Sequence, residues 1–378
     1  MPWKESTAMS ERDEFIKRAK AEGTNMSALC RELGISRKTG YKWLSREKEA
    51  GNEGLADHSR RPKRSPRQTE AQMEAQVLGV RSEHPAWGGR KIRRVLKDQK
   101  IEGVPAASTI TVILRRHEQI DPQEGQKHKP FQRFERVQPN ELWQMDFKGY
   151  FALSAGGYCH PLTVLDDHSR FLVGLKACPN ETFLTVQTQL RAIFEQFGLP
   201  ERMLMDNGSP WGDDRENPYT ILTTWLLRLD IAISHGRPRH PQTQGKDERL
   251  NRTLLDEVIS QHSLATLPES QLAFDQWWQV YNFIRPHEAL HLDTPASHYQ
   301  LSPRVFPAVL PPVTYAPGDL IRKVDETGKI YFHNRSFRVG KAFRHQPVAL
   351  RPTETDGLFD VFFSKHKVAQ ISLRMDNC

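Results

Sequence analysis

Apolar positions recur along this chain at helical spacing in some stretches and as short or alternating runs in others. Residues 24–48, TNMSALCRELGISRKTGYKWLSREK, place Ala28, Leu29 and Leu33 on one helical face. Gly34 offers a turn, and Ser36 can cap a second helix carrying Tyr41, Trp43 and Leu44, so the pattern predicts a helix-turn-helix. Residues 69–117 predict a second small helical domain with Val77, Leu78, Ile92, Val95 and Leu96 in its core. There Ser108 and Thr109 can cap a helix bearing Ile110 to Arg116, an arrangement compatible with a second, winged helix-turn-helix. From Asn140 the texture changes to strands at 141–151, 158–166 and 171–177, then a helix over 182–197 in which Phe183, Val186, Leu190, Ile193, Phe194 and Phe197 keep 3.6-residue spacing. A short strand at Met203–Met205, a helix over 219–229, a strand at 231–234 and helices from near Gly245 and Pro268 follow, which together predict an α/β layer architecture. Beyond Val305 the runs alternate, as in Lys329–Val339 and Leu358–Phe363, with a hairpin signal at Asp325-Glu326-Thr327-Gly328, and predict a small β-barrel.

The implied organisation is a helix-turn-helix domain at 1–57, a basic linker at 58–68, a second helical domain at 69–118 and a linker at 119–139. An α/β core at 140–304 and a β domain at 305–378 complete it. Charge sharpens this division. Of the 54 Lys and Arg and 46 Asp and Glu, residues 1–136 hold 29 and 19, a balance of +10, and the remainder holds 25 and 27, a balance of −2. A basic front on a nearly neutral body points to a polyanion partner, nucleic acid before membrane. On the second helix of the first motif, Arg37, Lys38, Lys42 and Arg46 stand where a recognition helix meets phosphates and base edges. The run HSRRPKRSPR at 58–67 adds Arg60, Arg61, Lys63 and Arg64, with two prolines and no acid, and suits a linker that tracks a groove.

The four cysteines, Cys30, Cys159, Cys178 and Cys378, form no CxxC or Cys/His spacing, which argues against a structural zinc site and a disulfide scaffold. With no apolar run of about 18 residues and no signal-peptide pattern, a cytoplasmic protein is expected.

Three carboxylates stand where chemistry is plausible. Asp146 lies within the strand-like LWQMDF, where an unpaired charge is costly unless it is hydrogen-bonded or bound to metal. Asp206 ends the buried run MLM and precedes Asn207-Gly208, whose residue types suit a turn with positive φ. Glu248 falls in the first turn of the helix GKDERLNR, at the border of a stripe formed by Leu250, Leu254, Leu255, Val258 and Ile259. Asp247 falls inside that stripe and reads as an end-of-helix interaction. Acids from two strands and a helix start could hold a pair of hard divalent cations, which prefer oxygen ligands and can grip both the attacking and the leaving oxygen of a phosphoryl displacement.

The blocks ELWQMDF, LDDHSRF, MLMDNGSPW, HGRPRHPQTQGKDERLNRTLLDEV and YNFIRPHEAL, in that order, resemble the integrase core of bacterial insertion-sequence transposases, members of the DDE superfamily that also includes retroviral integrases. With the helix-turn-helix front end, the likeness covers nearly the whole chain. It implies an RNase H-like fold for the core and places the family's catalytic, metal-binding acids on Asp146, Asp206 and Glu248. Asp146 would bridge two Mg²⁺ ions, Asp206 completing one site and Glu248 the other, with Mn²⁺ able to substitute. The partners implied are double-stranded DNA, as transposon terminal inverted repeats and as target, and further copies of the chain. A cytoplasmic, nucleoid-associated location is implied as well.

The 41 residues between Asp206 and Glu248 exceed the family's common spacing, which fits an insertion around Trp211-Gly212-Asp213-Asp214-Arg215-Glu216 with solvated acids. No His/His/Cys/Cys zinc domain of the retroviral kind is present in the sequence. Asp166 and Asp167 rival Asp146 as first carboxylate, although LDDHSR matches a second-strand block. The loop 236–245, with His235, Arg237, Arg239, His240 and Lys246, reads as a cationic grip on DNA, and Arg252 as a phosphate contact or a partner of Glu248. Trp277, Trp278 and Tyr281 read as core, and Arg285 and His287 as structural or DNA-contacting. Two other functions stay open: a catalytically inactive, domesticated DNA-binding regulator, and a ribonuclease H-type nuclease.

Overall fold

A computed structural model describes residues 7–57, 68–120, 136–212, 219–236 and 245–374. Residues 1–68 and 69–378 form two separate compact units. In the first, α1 (Ala8–Ala19), α2 (Met26–Glu32) and α3 (Arg37–Ala50) enclose Phe15, Ile16, Leu29, Cys30, Trp43 and Leu55. Ser36 caps α3 as expected, its hydroxyl accepting from the Thr39 N–H at 3.1 Å. A Cβ at Gly40 would lie 2.8 Å from Cys30 Sγ and 2.9 Å from Phe15, so the helices cross at this glycine. Leu33, on the face shared with Leu29, is exposed because α2 ends at Glu32 and its packed face is set by Leu29 and Cys30; Tyr41 is exposed on α3.

The second unit begins with α4 (Ala71–Glu83), α5 (Gly89–Asp98) and α6 (Ala107–Arg116) around Val77, Trp87, Ile92, Leu96, Ile110, Ile113 and Leu114. Two expectations change here. Among the described residues 68–120 no strand forms, hence no wing, and Ser108 and Thr109 do not cap α6, whose N-cap is Ala106. Packing sets that helix start instead, since a Cβ at Gly89 of α5 would clash with the Ala107 carbonyl.

The core sheet follows: β1 (Trp143–Phe147), β2 (Phe151–Ala152), β3 (Tyr158–Asp166) and β4 (Leu172–Cys178), then α7 (Phe183–Phe197), β5 (Arg202–Met205), α8 (Ile221–Arg228) and β6 (Ala232–His235). Strand order is β4-β3-β1-β5-β6, with β2 on the near edge of β3. The β4-β3-β1 pairings are antiparallel and the β1-β5-β6 pairings parallel. The strand expected over 141–151 is thus two, broken where Gly149 takes φ +91°.

Trp143, Met145, Leu162, Val164 and Met203 pack beneath α7 and α8 on one face. Leu165, Leu172 and Leu175 pack on the other beneath α9 (Gly245–Leu254) and α10 (Leu267–Gln279). The layers are helix, sheet, helix, and each large apolar side chain so buried contributes about 1.5–3 kcal/mol. Trp277, Trp278 and Tyr281 belong to this packing, as their sequence suggests. The π-helical turns Leu255–Ile259 and Val280–Ile284 prolong α9 and α10.

The C-terminal part is a four-stranded antiparallel sheet, β12-β11-β10-β7, beside a separate hairpin, β8-β9. Its strands are β7 (Leu320–Lys323), β8 (Lys329–Phe332), β9 (Arg335–Arg338), β10 (Pro347–Pro352), β11 (Leu358–Phe363) and β12 (His366–Ser372). The expected barrel is not formed, because the ladders of the described residues do not close. The turn built on Asp325, whose Oδ1 accepts from the Thr327 and Lys329 N–H groups, leads the chain into the hairpin instead. Leu227 of α8 joins this domain's core, supplying apolar cover from the α/β core.

Candidate active site

Parallel pairing of β1 with β5 aligns Trp143 with Met203 and Gln144 with Leu204, so two residues further on Asp146 and Asp206 come side by side. Asp146 is half-buried and accepts hydrogen bonds from the Phe147 N–H and, at 3.3 Å, from Asn251 Nδ2. Burial, and after it the negative charge of Asp206, pushes its carboxyl up to about 6. Asp206 is exposed just beyond β5, its Oδ1 accepting from the Asn207 N–H at 2.7 Å.

The turn that carries Asp206 differs from expectation, for neither Asn207 nor Gly208 has positive φ. Instead the Trp211 and Gly212 N–H groups donate to the Gly208 carbonyl at 2.8 and 2.9 Å. The buried Trp211 ring stacks on Phe147 at 5.6 Å, which pins this loop to the residue after Asp146. His235, expected to grip DNA, places Nδ1 2.9 Å from the Asp206 carbonyl, and Asn207 Nδ2 donates to the Gly236 carbonyl at 2.7 Å. Because a carbonyl only accepts, Nδ1 carries the proton in that contact.

On α9, Glu248 is exposed in the first turn, and Asn251, one turn later on the same face, reaches Asp146. The structure thus brings Asp146, Asp206 and Asn251 together and leaves Glu248 exposed at the head of the same helix. Among the described residues no group of three or more His, Cys, Asp or Glu is arranged to hold a metal. The donors present nonetheless suit a hard divalent cation. They are all oxygens, and one half-buried carboxylate is strained by the charge of another, which a cation would relieve.

Two side chains beside Glu248 lie inward. Lys246, expected on DNA, turns inward: its Nζ lies 2.5 Å from Asp167 Oδ1 and 3.1 Å from the Asp167 carbonyl. Asp247 is no end-of-helix interaction. It is buried with neither carboxylate oxygen hydrogen-bonded, and its carboxyl is held well above the usual range by burial, then by the charges of Asp146 and Asp167. Asp166 and Asp167, by contrast with Asp146, are both fully buried. Asp166 accepts from the Asn140 N–H and from the Ser169 N–H and hydroxyl, closing the β3–β4 connection.

Of the cations expected on DNA, Arg37, Lys38 and Lys42 are exposed on α3, while Arg46 is half-buried. Lys42 and Arg46 lie 4.7 and 5.1 Å from the Trp43 ring centroid, with Arg12 at 4.0 Å. Arg252 is exposed on α9. Arg60, Arg61, Lys63, Arg64, Arg237, Arg239 and His240, like the acids Asp213, Asp214 and Glu216, lie outside the described residues.

Arg285 and His287 have partners within the protein. Arg285 Nε donates to Glu257 Oε1 at 3.1 Å, and His287 is buried, its backbone N–H donating to the Asp293 carbonyl at 3.0 Å. Glu257, which nothing in the sequence singled out, also accepts from the Trp87 indole at 3.3 Å and the Trp277 indole at 2.9 Å. It joins the α4–α6 domain to the core, assisted by Arg94–Asp293 at 2.9 Å and Arg90–Glu288 at 3.7 Å. Asn251 could have been found from its place three residues after Glu248.

Comparison with known proteins adds to this geometry. Residues 136–241 and 229–295 match two integrase core domain families, and residues 319–378 match the C-terminal domain of IS481 family transposases. Residues 11–63 match a helix-turn-helix domain and 39–114 a homeodomain-like domain. The Gag-Pol polyprotein of avian reticuloendotheliosis virus is 26% identical over 121 residues, 32% of this chain, and the matched part is a tenth of that polyprotein's length. The HTLV-2 integrase catalytic core domain in complex with magnesium (trimeric form) is 16% identical, covering 43% of this chain and 99% of that one with a TM-score of 0.34. The simian T-cell lymphotropic virus intasome in complex with PP2A regulatory subunit B56 gamma has a chain 17% identical, covering 79% of this chain and 96% of its own with a TM-score of 0.39. No described helix is long and apolar enough to cross a membrane. Helix-turn-helix matches, integrase core matches and an IS481-type transposase C-terminal match thus stand in one chain, the make-up of an insertion-sequence transposase with an integrase-like core.

Proposed function

We propose that the chain cuts the phosphodiester at transposon ends to expose 3′-OH groups and joins those ends to target DNA in the same site. The observation that supports this best is the juxtaposition of Asp146 and Asp206 on adjacent parallel strands, one carboxylate raising the proton affinity of the other. Asp146, Asp206 and Glu248 are the residues that would hold two Mg²⁺ ions, or Mn²⁺ in their place. When bound, such ions supply positive charge against the charge that develops on the attacked phosphate and on the leaving oxygen. Asn251 orients Asp146 through its side-chain amide, and the Trp211–Phe147 stack holds Asp206 at the end of its strand. No Ser or Tyr nucleophile is assigned, since hydrolysis and strand transfer both use an oxygen nucleophile brought by water or DNA.

Arg37 and Lys38 on the open face of α3 would bind the terminal inverted repeats, and both ends must meet, so at least a dimer on DNA is expected. A cytoplasmic, nucleoid-associated protein follows from that role. The test is Asp206→Asn with labelled end DNA and Mg²⁺. Loss of cleavage and joining with end binding intact supports the reading, and an Asn variant that still joins ends sinks it. A wild-type protein that binds ends yet cuts neither with Mg²⁺ nor with Mn²⁺ is the DNA-binding regulator. Greater activity on RNA–DNA hybrids than on DNA ends marks a ribonuclease H-type nuclease.

A further inference from the structure

We propose that Lys246 and Asp167 form a buried clamp that sets the head of α9, and with it Glu248, against the strand bearing Asp146, so that Lys246 acts as a positioning residue and not as a DNA contact. The inference rests on the reading of these acids as a metal site.

Asp167 is fully buried just beyond β3, and three groups converge on it through four contacts. Lys246 Nζ approaches Oδ1 at 2.5 Å and the carbonyl at 3.1 Å; Gln144 Nε2 donates to Oδ1 at 2.5 Å, the Arg136 N–H to Oδ2 at 2.8 Å. Only 17% of the Lys246 side chain is exposed, too little for a cation meant to track a phosphate backbone. Gln144 and Asp146 are two residues apart on β1 and therefore point to the same face of the sheet. Lys246 and Glu248 are two residues apart at the start of α9. The clamp thus ties strand to helix at one point on each, two residues from an acid of the site on both sides. Asn251 on Asp146 is the second tie, a turn further along.

Charge explains why a tie is needed. Asp247, buried with both oxygens unpartnered, faces the negative charges of Asp146 and Asp167, and the cation acting on it is Lys246. Without that cation, the buried Asp167 carboxylate would lose its ion-pair partner and the helix start its tie to the sheet. A partner that orients a metal ligand from behind typically changes metal affinity by 10–100-fold when removed.

The test uses the full chain and two readouts: Mn²⁺ binding followed by electron paramagnetic resonance without DNA, and the salt dependence of binding to a short random-sequence duplex. Lys246→Met and Asp167→Asn are each expected to weaken Mn²⁺ binding by about tenfold or more, with the double substitution no worse than either alone. The salt slope of DNA binding stays at the wild-type value. Lys246→Arg keeps the charge but not the single-nitrogen contact to both Asp167 oxygens, so a loss of about threefold is expected; this variant carries the comparison if Lys246→Met does not fold. A salt slope shallower by about 0.9 with Mn²⁺ binding unchanged makes Lys246 a DNA contact and overturns the clamp. Lower thermal stability with unchanged Mn²⁺ affinity overturns it as well. Failure of the wild-type chain itself to bind Mn²⁺ overturns the functional reading.

Discussion

Replacing Asp146 by Asn should make the metal-free protein more stable while abolishing its activity. The carboxyl rises from 3.8 to about 6 on folding, first through burial and then through the charge of Asp206. At ~1.36 kcal/mol per pH unit, a rise of about two units means that ionised Asp146 costs the fold about 3 kcal/mol. The sign follows from proton binding. Below about pH 4 both folded and unfolded chains hold the proton and the cost vanishes; it grows as pH climbs towards 6 and is complete above it. Asn keeps one acceptor for the Phe147 N–H or Asn251 but loses the charge-assisted strength of the other bond, about 1 kcal/mol. The net expectation is a gain of about 2 kcal/mol at pH 7.5, falling to zero or slightly below near pH 4. Urea unfolding in EDTA at both pH values measures it. Mg²⁺ added at pH 7.5 should stabilise the wild type and leave the variant unmoved, because only the former binds the ion in its native state. An Asn variant no more stable than wild type at pH 7.5, or a difference that does not shrink with acid, would refute the electrostatic account of this pair.

Two further outcomes concern other parts of the chain. Arg37→Ala and Lys38→Ala should each weaken duplex binding and flatten its log–log salt dependence by about 0.9, seen by fluorescence anisotropy across a salt series; an unchanged slope would remove α3 from the DNA interface. Glu257→Gln should cost about 3 kcal/mol in urea unfolding, since it breaks an ion pair with side chains only 9% and 11% exposed and strands Arg285; a loss below about 1 kcal/mol would show that the two indoles alone hold this junction.

Features with local causes could be read from the chain before folding. The apolar spacing from Phe183 to Phe197 is α7, the Ser36 hydroxyl does cap α3, and the run ending at Asp206 is β5. What escaped reading has distant causes. Glu257 looks like one more acid on a helix, and its meaning comes from Trp87, 170 residues earlier. A lysine in the first turn of α9 reads as a hand for phosphate, and its ion pair with Asp167, 79 residues away, is invisible in the sequence. Asn207-Gly208 has the composition of a left-handed turn, but the stack of Trp211 on Phe147 settles that loop's path. The C-terminal strands are plain in their alternation, whereas closure into a barrel depends on which edges meet, and no periodicity encodes that.

The seam between the α4–α6 domain and the core has a metrical consequence. Trp87, Arg90 and Arg94 are seated on Glu257, Glu288 and Asp293, acids belonging to the body that carries Asp146 and Asp206. Any duplex gripped by these helices is therefore presented at a set distance from those carboxylates. On the proposed function, the protein would then work as a gauge, measuring the cut in base pairs from a held sequence by the thickness of its own framework.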